Sequence, residues 1–210
     1  LRTHPLSKDR IKIIKKHIAT SPYTNSTPSK LEKESHARIR AKLAAFLTRP
    51  NKKKLPSTTN KNSIAGQYSQ AIAFHKTGNS KAAIKIINDL IMQNSKDPYF
   101  YQLKGQFQFE SGQLREALKS LIYAIKLLPD APLFRLLAAQ IQLETNDQAL
   151  LDPAIINLKS ALTLEPESSS IWRKLAIAYG RKGDVGNKSL ALAEESFLIR
   201  KFDIAKYHAA

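Results

Sequence analysis

Five histidines, His4, His17, His36, His75 and His208, are the side chains best suited to hold a metal or move a proton near neutral pH. A zinc hydrolase would pair two of them four residues apart on one helix, with a glutamate directly after the first. The closest two here, His4 and His17, are 13 residues apart, and no glutamate directly follows any histidine. The chain has no cysteine, which removes a thiol nucleophile, a disulfide framework and cysteine-ligated zinc or iron–sulfur sites. No catalytic and no metal set is legible within the chain, and isolated histidines read as solvated or packed side chains.

Charge is the other conspicuous chemistry. Lys and Arg number 34 against 17 Asp and Glu in 210 residues, a formal charge of +17. Residues 1–63 hold 16 cationic and 3 acidic side chains, and residues 64–210 hold 18 and 14. All seven glycines lie at or beyond Gly66. The stretch from Thr48 to Asn62, with Lys52, Lys53, Lys54, Pro50 and Pro56, is too polar to offset its ordering entropy and reads as a linker. The first expectation is therefore a basic helical connector over 1–63 and a second unit over 64–210. The basic arm has only Tyr23 and Phe46 as aromatics, so it offers no stacking platform for single strands, and no DNA-binding motif is present. Nucleic acid is disfavoured as a partner; an anionic membrane surface or an acidic protein face remains compatible with the charge. No apolar run approaches the roughly 18 residues of a membrane span, and no signal peptide is visible in the first residues.

The elements that would position any site come from a repeat. Gly78 and Gly112 lie 34 residues apart, each after an amphipathic stretch, and Gly183 repeats the pattern. Frames cut at 64, 98, 132 and 169 place small residues at matching points: Ala71, Gly105, Ala139 and Ala176 in the first half, and Ala83, Ala117 and Ala154 in the second. The third frame needs three extra residues around Leu150–Asp152. Small residues let paired helices approach, larger ones such as Tyr101, Trp172, Leu175 and Tyr179 fill the gaps, glycine turns the chain with positive φ, and Pro129 and Pro166 stop the second helices. This pattern resembles the tetratricopeptide repeat. The predicted fold is all-α: an α-α superhelix of about four units, the last incomplete or irregular, preceded by two helices and a basic linker. In the last frame Lys188 and Glu195 stand where small residues are expected, so the helix over Asn187–Ile199 is expected to serve both repeat four and a fifth unit begun by Phe202, Ala205 and Ala209. The two leading helices are expected over Lys8–Ala19, capped by Ser7, with a stripe of Ile11, Ile14 and Ile18, and over Ser29–Leu47, with Leu31, Ile39, Leu43, Phe46 and Leu47. They are too small for a core of their own and must pack on the repeats or on something else.

The opening residues, Leu1-Arg2-Thr3-His4-Pro5-Leu6-Ser7-Lys8-Asp9-Arg10-Ile11, resemble the end of the catalytic domain of HtpX-like zinc metallopeptidases. Their BepA-like relatives carry tetratricopeptide repeats after that segment, and the runs Trp172–Gly183, Leu190–Glu195 and Pro98–Phe100 look like that bacterial domain. The resemblance implies a parent enzyme of the bacterial cell envelope, with its zinc site N-terminal to Leu1 and His4, Pro5 and Arg10 beside the peptidase domain. It implies no catalytic residue, zinc ligand or cofactor in the present residues, and zinc only in the parent. The implied role is recruitment of a protein substrate or an envelope assembly partner, with the chain's own peptidase domain as a further contact. A free-standing scaffold without peptidase activity is the alternative.

In tetratricopeptide proteins the first helix of each repeat lines a concave face. Carried over by frame, the lining residues are Tyr68, Ile72, His75 and Lys76; Tyr99, Gln102, Gln106, Phe109 and Glu110; Leu136, Gln140, Leu143 and Glu144; and Arg173, Ile177 and Arg181. Such a mixed aromatic, amide and basic groove suits an extended or helical peptide; the alternative is that some of its apolar residues pack internally or meet the peptidase domain. It lacks the Lys and Asn set of a carboxylate clamp.

Overall fold

A computed structural model describes residues 7–48 and 60–210. His4, Pro5, the lysines 52–54 and most of the expected linker lie outside the described residues. The order is α1 (Ser7–Thr20), α2 (Lys30–Leu47), α3 (Ile64–Lys76), α4 (Ser80–Gln93), α5 (Pro98–Glu110), α6 (Leu114–Leu127), α7 (Pro132–Glu144), α8 (Leu151–Leu162), α9 (Ser169–Lys182), α10 (Val185–Leu198) and α11 (Phe202–Ala209). No strand occurs among the described residues. The fold is an all-helical, tetratricopeptide-like stack of the pairs α3/α4, α5/α6, α7/α8 and α9/α10.

Local sequence explains where helices start and stop. Ser63, Asn79, Asp97 and Asp184 each accept a backbone N–H of the first turn, satisfying a donor that has no helical partner. Pro98 and Pro132 occupy the first turns of α5 and α7, where a missing N–H costs nothing. Gly78, Gly112 and Gly183 have φ of 84°, 76° and 77°, and each is followed by a residue whose N–H returns to the preceding helix. The third repeat uses Asn146 at φ 55°, the non-glycine type most tolerant of that region. Its extra residues form a single 3-10 turn, Gln148–Leu150, ahead of α8. After α10 the same kind of turn recurs at Arg200, φ 61°, with the Lys201 N–H donating to the Ser196 carbonyl at 2.8 Å. Helix α10 thus packs on α9 and, through this turn, on α11.

The core runs along the stack as three clusters of buried side chains, one around Tyr68, Ile87 and Phe107, one around Ala117 and Ile141, and one around Leu158 and Ile171. Close approach at the small positions is real: a Cβ on Gly105 would meet Leu121 Cγ at 2.9 Å and the Ala117 carbonyl oxygen at 3.1 Å. Buried polar side chains are paired between helices of a repeat. Ser120 donates to Gln108 at 2.7 Å, and Asn157 donates to Gln142 at 3.1 Å, so neither amide loses its solvation uncompensated.

The two leading helices differ. The isoleucine stripe of α1 is exposed, with Ile11, Ile14 and Ile18 each more than half accessible. Helix α2 packs on α3, but not with the stripe its hydropathy suggests. Ala41 and Ala45 are buried and Phe46 packs partly, whereas Leu31, Ile39, Leu43 and Leu47 are exposed. The physical reason is distance: alanines at i and i+4 allow a close approach that the leucine face would prevent.

Candidate functional site: the face of the first helices

The first helices α3, α5, α7 and α9 each present the residues four and three apart that should line one continuous face. In α3 that face is covered. Ala65 and Ser69 share a cleft with Ala37, Ala41 and Ala44 of α2. Tyr68 shares another with Ser35, Arg38 and Lys42. Lys76 Nζ donates to the carbonyls of Ala45, Phe46 and Thr48 at 3.0, 2.6 and 2.6 Å, closing the C-terminal end of α2. The start of α2 therefore lies by the start of α3 and its end by the end of α3: the two helices run parallel.

Two expectations are corrected here. Tyr68 and Ile72 do not line an open groove; they are 1% and 0% exposed. Ile72 falls between Ser69 and Lys76 on the face that α2 covers, and burial pushes the Tyr68 hydroxyl well above the ordinary phenol range. Lys76 is engaged by α2 and is not free to meet a ligand. Gln102 is also buried, and Phe109 packs partly into the second-to-third repeat core.

Helix α2 reaches the second repeat as well. The Arg38 guanidinium pairs with the Asp97 carboxylate at the start of α5 and lies 5.1 Å from the Tyr99 ring centroid and 5.7 Å from that of Phe100. Lys42 Nζ donates to Gln102 Oε1 at 3.5 Å. Burial, and then the nearby Arg38 charge, lower the Lys42 pKa below the ordinary ammonium range. From Gln102 a polar ladder descends α5: Gln102 donates to Gln106 at 3.2 Å, and Gln106 to Glu110 at 2.8 Å. Glu110 meets His75 Nε2 at 2.6 Å, and His75 Nδ1 meets Ser80 at 3.1 Å. The His75 ring stacks on Phe107 at 4.2 Å, so this histidine is a packed, bridging side chain.

Beyond α5 the face opens. Tyr99 is 41% exposed with its ring edge-on to Phe134, Gln140 and Leu136 are half-buried, and Glu144 is exposed, while Leu143 is buried. In α9, Arg173, Ile177 and Arg181 are exposed. Arg173 pairs with Glu195 of α10 at 3.1 Å, and Arg181 donates to the Leu143 carbonyl of α7. Arg10 lies exposed on α1. Among the described residues no three His, Asp or Glu side chains converge as metal ligands, so no zinc site is assembled from them. None of their helices is long and apolar enough to cross a membrane.

Sequence reasoning missed Arg38, Lys42 and Asp97 as parts of this face. The signal was present: Arg38 and Lys42 stand four apart beside Ala41 and Ala45, a small-residue face edged by cations.

No protein-family model matches the chain, and no curated protein does. Solved structures do share its architecture. MamA AMB-1 is 18% identical, with 80% of this chain and 88% of that chain covered at a TM-score of 0.60. MamA 41-end from Desulfovibrio magneticus RS-1 is 15% identical, covering 68% and 87% at 0.59. Another MamA crystal structure is 15% identical, covering 66% and 81% at 0.58. At these identities the likeness establishes the tetratricopeptide-like fold and nothing finer.

Proposed function

We propose that the chain is a protein-interaction module whose inner face, from Tyr99 to Arg181, holds an extended or helical polypeptide. The supporting observation is the open stretch over α5, α7 and α9. It combines an accessible ring at Tyr99, apolar Leu136 and Ile177, amides at Gln106 and Gln140, and cations at Arg173 and Arg181. Apolar side chains among fixed hydrogen-bonding groups suit main-chain and side-chain capture of a peptide better than a small-molecule pocket. The finer reading is that this module positions substrates or an assembly partner for a zinc metallopeptidase whose catalytic part precedes Leu1. It rests on the opening motif ahead of helices and repeats, and its cell-envelope location and zinc rest on that resemblance alone. The second reading, a free-standing scaffold, is favoured by the solved neighbours, which share the repeat fold across most of their own length.

Two measurements test this. Titrating the chain into carboxymethylated, permanently unfolded α-lactalbumin should give saturable binding, weakened at least tenfold by the double change Ile177→Glu and Arg181→Glu. Unchanged binding in that variant, or none in the parent, removes the inner-face reading. The coding sequence before Leu1 separates the two finer readings: a His-Glu-x-x-His helix there supports the peptidase, its absence the scaffold.

A further inference from the structure

Helix α2 sits where a ligand of the repeat face would sit. It covers Ala65, Tyr68 and Ser69 of α3, shares a buried cluster with Ile72 through Ala45, reaches Asp97 and Gln102 of α5, and is held at its end by Lys76. Yet its grip is light for an eighteen-residue helix: only Ala41 and Ala45 are buried, and Ile39, Leu43 and Leu47 face solvent at 57%, 56% and 81%. Alanine burial removes little apolar area from water compared with the leucine-sized side chains that hold α3 to α4. An element that packs closely but buries no large apolar side chain fully opens at lower free energy than the stack beneath it. Opening would uncover Tyr68 and Ile72 beside the Asp97 carboxylate, an apolar floor with one anionic edge.

We propose that α2 is a built-in pseudo-ligand, and that the covered end of the face is a second binding site. Its occupant is a partner helix of α2's own chemistry: small residues at i and i+4, with an Arg and a Lys at i−3 and i+1, docked parallel to α3. The reading rests on the inner face being a polypeptide-binding surface, and it adds the class of ligand and the device that gates it. Charge selects the ligand, because Asp97 pairs with a cation at the Arg38 position and the flanking rings of Tyr99 and Phe100 favour a guanidinium over an ammonium. The alanine face selects it by shape, because a larger side chain there would hold the helix off α3. While α2 is docked, the apparent affinity for a partner is reduced by the fraction of molecules that are open.

The probe is a labelled synthetic peptide of residues 28–48 added to the full chain. The wild type should bind it weakly. The double variant Arg38→Glu with Ala41→Glu, which loosens α2 without touching α3 or α5, should bind it at least tenfold more tightly. Adding Asp97→Asn, which keeps the helix cap but removes the charge, should abolish that gain. Independently, α2 amides of the wild type should exchange with solvent well before those of α3 and α5. Exchange of α2 only together with α3 overturns the proposal, as does equally weak peptide binding by wild type and loosened variant. A loosened variant that becomes dimeric and binds no peptide also overturns it, making a second copy the occupant. Ile177→Glu should leave peptide binding unchanged, so failure of the open face and failure of this site are read separately.

Discussion

The first and fourth repeats share a backbone and differ in what their inner faces meet. Ile72 and Ile177 occupy the same repeat position, and one is 0% and the other 41% exposed. Tyr68 and Arg173 are equivalent, and so are Lys76 and Arg181. Each of the last two donates to the carbonyl end of a helix beside it, Lys76 to α2 and Arg181 to α7. The same position therefore acquires a different role from its neighbour, not from its place in the repeat. A repeat motif assigns a residue to a face; only the occupant of that face decides whether it is core or surface.

The sharpest way to break the comparison is to place a carboxylate at both isoleucines. Ile72→Glu buries an unpaired charge and should cost at least about 3 kcal/mol. Ile177→Glu should stay within about 0.5 kcal/mol. Urea denaturation of both variants reads the contrast, and equal losses would mean that α2 does not cover α3 in solution.

Glycines extend it. Gly105→Val forces a side chain against Leu121 and the Ala117 carbonyl and should cost about 2 kcal/mol. Gly180, inside α9, has only the Lys188 side chain near, at 3.4 Å, and Gly180→Ala should stabilise by about 0.5 kcal/mol. Thermal melts ordered Gly180→Ala, wild type, Gly105→Val from high to low would fit.

A smaller difference concerns the cations. Lys76→Met leaves three carbonyls without their donor and should cost about 1 to 2 kcal/mol, whereas Arg181→Met releases a single one and should cost under about 1 kcal/mol. The Lys76 change should also speed amide exchange in α2, and the Arg181 change should not.

The smallest effect lies in acid. Hydrogen bonds from Ser29, side chain first and backbone second, hold Glu32 below the ordinary carboxylate range at the start of α2. The Asn187 side chain and backbone do the same for Asp184 at the start of α10. Both folded pKa values are lowered, so their stabilisation is complete above the ordinary carboxylate value and is lost as pH falls through the lowered one. Amide shifts at Ser29–Glu32 and Asp184–Asn187 should titrate there, with fraying of α2 larger than that of α10 because α10 is held between α9 and α11 whereas α2 packs chiefly on α3.

Much of the architecture is legible in the sequence. The period between Gly78 and Gly112, the small residues at Ala71, Gly105 and Ala139, and the extra residues near Leu150 located the helix pairs and their turns. At the open end the spacing puts Arg173, Ile177 and Arg181 together along α9, and all three are exposed. The covered end is not legible in this way. Hydropathy points to Leu31, Ile39, Leu43, Phe46 and Leu47 as the packing stripe of α2; of these Phe46 packs partly, the other four are exposed, and the buried residues are Ala41 and Ala45. Alanine carries little hydrophobic contrast, so a pattern of apolar size misses a face selected for closeness.

The sequence by itself determined the helices, their pairing and the left-handed turns, because these depend on local dihedral preference and on side-chain volume at fixed spacing. Tertiary structure alone decided that α2 lies parallel to α3 over the inner face, turning Tyr68 and Ile72 into core and Arg38 and Asp97 into a contact 59 residues apart in the chain. That outcome depends on which of several amphipathic surfaces meets which, and a one-dimensional pattern records the surfaces without their partners.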